Sequence, residues 1–146
     1  MNRLQVLMLL GASLLAACSG EPARPDKPDK PEAPVVQVAD VTRLTGDAEA
    51  GRIGFGQCRS CHAVEAGVNR VGPSVHAIVG RPVGTVADYR YSTAMAAAGG
   101  AWDEQRLYDF LENPREHVPG TKMTFVGIKD GQRRADIIAY LKTQAD

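Results

Sequence analysis

Apolar residues fall along the chain in three regimes. From Leu4 to Ala17 they form a nearly unbroken run, interrupted by Gln5, Gly11 and Ser13. From Ser19 to Arg43 they thin out, and proline recurs at every third position from Pro22 to Pro34. Beyond Leu44 they return at helical spacing. The pattern predicts a first helix over Asp47–Gln57, weakened by Gly51, Gly54 and Gly56. Glycines in a helix make sense where another backbone packs closely, and the last helix is the expected partner. That helix is predicted near Gln132–Thr143, with Ile137, Ile138, Tyr140 and Leu141 on its apolar side. A short helical run over Ser92–Ala98 ends at Gly99-Gly100. Another helix starts at Asp103 as N-cap and stops at Pro114, with Leu107, Phe110 and Leu111 as its stripe. No alternating pattern is long enough for a sheet, so the expected fold class is all-α.

The first regime is shorter than the roughly 20 residues that span a bilayer. It fits the apolar core of an export signal. It ends in Leu15-Ala16-Ala17-Cys18, which resembles the lipobox of bacterial lipoproteins. The resemblance implies cleavage before Cys18, lipidation of its thiol and new amino group, and stable anchoring through several acyl chains. The expected organisation is a signal peptide over residues 1–17, a lipidated Cys18 with a linker over 18–43, and one folded domain over 44–146. In polyproline II the five linker prolines would line one face of a semi-rigid spacer. From Pro22 to Pro34 it would reach roughly 37 Å.

The full chain carries 17 basic and 17 acidic side chains, so it lacks the basic surplus expected of a nucleic-acid binder. The balance persists within the domain, with 12 of each sign between Leu44 and Asp146. Three cysteines are too few for a disulfide-stapled scaffold. Two of them, however, lie in Cys58-Arg59-Ser60-Cys61-His62, the C-x-x-C-H attachment signature of c-type haem. On a helical turn, residues three apart share a face, so both thiols can reach one porphyrin edge and form thioethers. His62 follows directly and can offer its imidazole to iron. A thioredoxin-type dithiol does not account for the adjacent histidine. A zinc site lacks a fourth ligand at comparable spacing.

A second axial ligand is expected from Met123, in the Pro- and Gly-punctuated loop Pro119-Gly120-Thr121-Lys122-Met123. A soft thioether suits low-spin iron and favours the ferrous state. Met95, His76 and His117 remain as rivals at this point. Iron with two protein ligands has no vacant position for substrate, which favours electron transfer by a protein that is not an enzyme. A haem enzyme of peroxidase or nitrogen-oxide-reducing type, or a gas sensor, would need an open or labile sixth position.

From Gly46 to Lys142 the chain resembles a class I cytochrome c of the mitochondrial and c2-like branch. The matching blocks include the C-x-x-C-H motif, Gly72-Pro73, Gly80-Arg81, Tyr91-Ser92, Trp102, Leu111-Glu112-Asn113-Pro114, Pro119–Phe125 and Arg134–Lys142. The resemblance implies a cytochrome c fold around one covalently attached haem c. Pro73 would take the outer N–H of His62, and Arg81, Tyr91 and Trp102 would hydrogen-bond the haem propionates. Trp102 also reads as simple core packing. Phe125 would cover the haem edge beside Met123. Two positions depart from the family: Phe110 stands where relatives usually have a tyrosine whose hydroxyl reaches the methionine sulfur, and Met95 where many have an asparagine.

By the same resemblance the protein would be a monomeric single-electron carrier between a cytochrome bc1-type quinol reductase and a terminal oxidase or reductase. The lipid would hold it to the bacterial cell envelope with the haem domain facing the periplasm. Arg59, Arg70, Lys122 and Lys129 could rim the exposed haem edge as a local basic patch.

Overall fold

The computed structural model describes residues 40–145. The expected signal peptide, Cys18 and almost all of the expected Pro-rich linker lie outside the described residues. Five α-helices follow in order: α1 (Ala48–Gly54), α2 (Thr93–Ala97), α3 (Glu104–Glu112), α4 (Pro114–His117) and α5 (Gly131–Lys142). Short 3₁₀ turns sit at Val41–Arg43, Phe55–Gln57 and Thr143–Ala145. The described residues contain no strand; one isolated antiparallel bridge joins Pro82 and Ala101.

The helices begin where a side chain can take orphan N–H groups. Asp47 accepts from Glu49 and Ala50, Ser92 from Met95, Asp103 from Arg106, and Asp130 from Gln132 and Arg133. The expected first helix is divided: α1 ends at Gly54 and tightens into the 3₁₀ turn that delivers Cys58. α3 stops before Pro114, and that proline opens α4 at its first position, where a missing N–H costs nothing.

α1 lies against α5. Gly51 sits so close that a Cβ there would overlap the Asp136 carbonyl oxygen, and a Cβ at Gly54 would touch the Ile137 side chain at 3.2 Å. Gly56 differs from expectation, because nothing lies within 4 Å of where its Cβ would be. The crossing is locked by the Asp47 N–H on Asp136 Oδ1 (2.9 Å) and by the Phe55 and Tyr140 rings, 5.4 Å apart. α3 also packs on α5. Between them Arg134, buried at 2 % exposure, donates to Ile128 O and Lys129 O, pairs with Glu112, and stacks over Tyr108. The packed structure begins before Leu44: Val41 is buried in the core, and its N–H bonds Gln105 Oε1 at 3.0 Å.

Between Cys58 and Ser92 the chain has no helix of its own. A loop this long inside a small domain is unusual without a function. Side chains hold it by bonding its backbone. Asn69 donates to Ala87 O (2.9 Å) and accepts the Ser74 N–H (3.0 Å), while Ser74 Oγ donates to Glu65 O (2.7 Å). The loop, the end of α2, α3 and the segment after α4 thus become walls around one cavity.

Candidate haem-binding site

The cavity measures about 580 Å³, within the range of built ligand sites. Its walls are mostly apolar, with Val75, Ile78, Met95, Trp102, Phe110 and Phe125 among them. His62 and Met123 both line it, together with Cys61. Cys58 packs against the edge of the core. Pro73, Arg81, Tyr91, Trp102 and Phe125 also line the cavity, so each of these sequence-derived candidates reaches the same space.

The C-x-x-C-H segment forms a helical turn. The N–H groups of Cys61 and His62 both bond the Cys58 carbonyl, at 3.1 and 2.9 Å. Burial, and secondarily the neighbouring Cys61, push the Cys58 thiol up to about 11. A reactive dithiol needs the opposite shift, so this environment disfavours that alternative. A protonated thiol in an apolar wall still suits thioether formation.

His62 Nδ1 lies 2.8 Å from the Pro73 carbonyl oxygen. A carbonyl can only accept, so the proton sits on Nδ1 and the Nε2 lone pair is left for a metal. Burial lowers the affinity of His62 for a second proton, with the Pro73 bond acting the other way. The neutral ring favoured by burial is the ligating form. Gly72 completes the cradle: a Cβ there would overlap the imidazole. Its backbone cannot easily retreat, because its N–H bonds Cys61 O (2.8 Å) and its carbonyl accepts the Arg70 N–H (2.9 Å).

The strap from Val118 to Ile128 carries Met123 to the same cavity. Thr121 N–H closes a turn on Val118 O (2.9 Å), and Thr121 Oγ1 accepts the Met123 N–H at 3.3 Å. Neither histidine rival lines the cavity. His117 stands behind its wall, edge-on to Phe110 at 6.0 Å, and His76 contributes its carbonyl to Arg81. Met95 lines the cavity from within α2, where its own N–H is held by Ser92 Oγ.

A polar corner breaks the apolar lining. Arg81 Nη1 donates to His76 O (2.7 Å) and Nη2 to Ser74 O (2.9 Å), which fixes the guanidinium in one orientation. Tyr91 Oη accepts the Val86 N–H at 3.4 Å, leaving its own proton to donate. Trp102 lies between the Phe110 ring, 4.8 Å away, and the Arg106 guanidinium at 5.4 Å. A fixed cation and a free hydroxyl proton are what a carboxylate needs on leaving water. The cavity therefore fits haem c on three separate grounds: nitrogen and sulfur donors, apolar walls, and a corner suited to acid side groups.

Sequence reasoning missed Tyr89 as a lining residue. Its signal was the repeat Tyr89-Arg90-Tyr91, which places two aromatics two positions apart in a loop.

No protein-family model matches the chain. Individual relatives do. It is 48% identical over 102 residues to cytochrome c of Euglena viridis, covering 69% of this chain and 100% of that one. It is 45% identical over 105 residues to the cytochrome c-type cyt cy of Rhodobacter capsulatus, covering 71% of this chain and 52% of that longer protein. Among solved structures, cytochrome cH from Methylobacterium extorquens aligns with a TM-score of 0.64 and 44% identity, covering 67% of this chain and 99% of that one. On this likeness over the whole length of a relative, the chain belongs to the class I cytochromes c, electron carriers rather than enzymes, each with one covalently bound haem c.

Proposed function

We propose that this protein is a lipid-tethered carrier that moves single electrons between a quinol:cytochrome c reductase and a terminal oxidase or reductase outside the cytoplasm. Cys58 and Cys61 are the thioether positions, His62 and Met123 the axial ligands, and Cys18 the lipidated residue. The observation that carries the reading is the His62–Pro73 contact, which leaves Nε2 available for a metal on a ring lining the same cavity as Met123.

When bound, haem c supplies a one-electron couple between ferric and ferrous iron. The protein supplies the rest. Pro73 fixes the His62 tautomer and raises its basicity. Met123 offers a soft donor that favours the ferrous state. Arg81 and Tyr91 stabilise propionate charge in a corner where a bare carboxylate would be costly, and Trp102 walls that corner. The apolar side chains lining the cavity would keep water from bound haem, so that little solvent would need to reorganise on gain or loss of an electron. With His62 and Met123 both holding the iron, no coordination position would be left for a small molecule to react.

The tether rests on Leu15-Ala16-Ala17-Cys18 and the apolar run before it. No helix among the described residues is long and apolar enough to cross a membrane. Anchoring would hold the domain near membrane partners at high effective concentration, which reduces the need for long-range charge steering. The balanced charge of the domain agrees with that arrangement.

Met123→Ala tests the ligand set. It should give high-spin or water-ligated ferric haem, a ferrous form that binds CO, and a lower potential. Ready CO binding by the wild type at neutral pH would overturn the carrier reading. Cys18→Ser should abolish lipid attachment while haem incorporation survives. A wild-type mature N-terminus without lipid would remove the tether.

A further inference from the structure

The segment that cradles His62 and the segment that carries Met123 meet at one side chain, Tyr89. Its hydroxyl donates to the Val71 carbonyl at 2.9 Å. Val71 immediately precedes Gly72 and Pro73, the two residues against the His62 ring. The other partner of Tyr89 is Lys122, the residue directly before Met123. Its ammonium lies 4.6 Å from the Tyr89 ring centroid and also donates to the Arg90 carbonyl. Tyr91 supports the ring edge-on, with centroids 4.8 Å apart at 77°. Val71, Tyr89 and Lys122 all line the cavity.

The strap has few other polar ties. Among the described residues, the hydrogen bond from positions 122–127 to a sequence-distant segment is the one from Lys122; the Met123 N–H bonds only nearby Thr121. The strap is next pinned at Ile128, whose N–H bonds Leu111 O at 2.8 Å. Beside the packing of Met123 and Phe125 on the core, the polar tie of the strap is thus Lys122, held on Tyr89 and its neighbour. A ring under an ammonium and a hydroxyl on a carbonyl act here in series.

We propose that Tyr89 is a positioning residue for both axial ligands, clasping the Met123 strap to the segment that cradles His62. The inference rests on the His62 and Met123 assignment. The clasp does not touch the iron; it sets how readily the sulfur leaves.

The test uses the ferric holoprotein and imidazole, which competes with methionine sulfur for iron. Tyr89→Phe keeps the ring beneath Lys122 but removes the bond to Val71. It should bind imidazole roughly fivefold more tightly than wild type. Tyr89→Leu removes both contacts and should bind roughly tenfold more tightly or more. Lys122→Gln should also tighten binding, whereas Lys122→Arg, which keeps a cation over the ring, should stay near wild type. The sulfur-to-iron charge-transfer band, read in parallel, should weaken in the same order. Tyr89→Phe decides the matter if the leucine variant fails to mature. Wild-type imidazole affinity in Tyr89→Phe and Lys122→Gln would overturn the clasp. Met123→Ala is run alongside. If that variant keeps the band, the ligand assignment itself falls and the clasp with it. If it loses the band while the Tyr89 variants match wild type, the clasp alone falls.

Discussion

Phe110 presents its ring to Trp102 at a centroid separation of 4.8 Å and an interplanar angle of 58°, inside the wall that faces Met123. Phe110 has no donor, and Met95, which lines the same cavity, is also apolar toward it. No hydroxyl or amide at these two positions can therefore bond the Met123 sulfur. A donor there would draw electron density from sulfur and favour ferrous iron. Phe110→Tyr should raise the reduction potential by about 40 mV, equivalent to a net hydrogen bond of about 1 kcal/mol for one electron. Protein-film voltammetry measures it, with the charge-transfer band reporting that methionine remains bound. An unchanged or lower potential with that band intact would show that the wall does not tune the iron in this way.

The two ends of the first helical segment should answer differently to the same substitution. Gly51→Ala sets a methyl group against the Asp136 carbonyl on a helix crossing that Asp47 and Phe55 already lock. Forcing α1 from α5 should cost about 2–4 kcal/mol. Gly56→Ala meets open space, and its backbone is not left-handed. By restricting the unfolded chain it should be neutral or stabilise by about 0.5 kcal/mol. Urea unfolding of the two holoproteins decides the contrast, and equal losses would refute the crossing as described.

These glycines also mark where sequence reading reaches its limit. Periodicity and capping residues located α2, α3, α5 and the start of α1 within a residue or two, because those signals are local, but the expected end of α1 ran three residues past Gly54 into the 3₁₀ turn. A count of glycines in a helix cannot say which of them faces a partner, so Gly56 was grouped with Gly51. Gly46, before α1, escaped notice although a Cβ there would also crowd α5 against Ala135 O. The cavity was legible because a few residue types and a fixed spacing carry its chemistry. Tyr89 was not, since its role depends on the loop bringing Val71 to its hydroxyl and Lys122 over its ring. Val41 lay beyond the Pro-rich pattern but inside the stretch read as linker, and only its burial against the core sets it apart.

Arg134 was similarly hidden, because an arginine on a helix normally faces water. Here its Nη1 donates to Ile128 O (2.6 Å) and Lys129 O (3.1 Å), its Nη2 lies 3.1 Å from Glu112, and its guanidinium sits 4.0 Å over Tyr108. Arg134→Met keeps much of the volume but strips two carbonyls and a half-exposed carboxylate of their partner. The loss should be about 2–4 kcal/mol, the range for removing one member of a largely buried hydrogen-bonded charge network. Arg134→Lys should recover only part of it, since an ammonium cannot reproduce the planar fork. Thermal and urea unfolding of the holoproteins provide the measurement. Full recovery by lysine would mean that charge alone, not the fork, is what α3 and α5 require.

The closest fit in the site is between Gly72 and His62, and it makes maturation the sensitive step. A Cβ at Gly72 would overlap the imidazole, with Nδ1 at 2.7 Å and Nε2 at 2.8 Å from it. Neither side can yield cheaply. The glycine backbone is pinned to Cys61 and Arg70, and the ring is pinned to Pro73. Gly72→Ala must therefore rotate the ring away from Pro73 or pull the loop from Cys61. Either response misaligns Nε2 while the thiols await the porphyrin. We expect severalfold less holoprotein at equal apoprotein expression, measured as covalently bound haem per polypeptide, because overpacking of about 1–3 kcal/mol is imposed on the ligand itself. The surviving holoprotein should show a higher potential, since a histidine that has lost its carbonyl partner is a less basic donor and stabilises ferric iron less. Gly56→Ala serves as the control, being near the same motif but in open space. Wild-type haem yield and potential in Gly72→Ala would mean that the His62 ring has room the structure does not show, and the cradle would have to be redrawn.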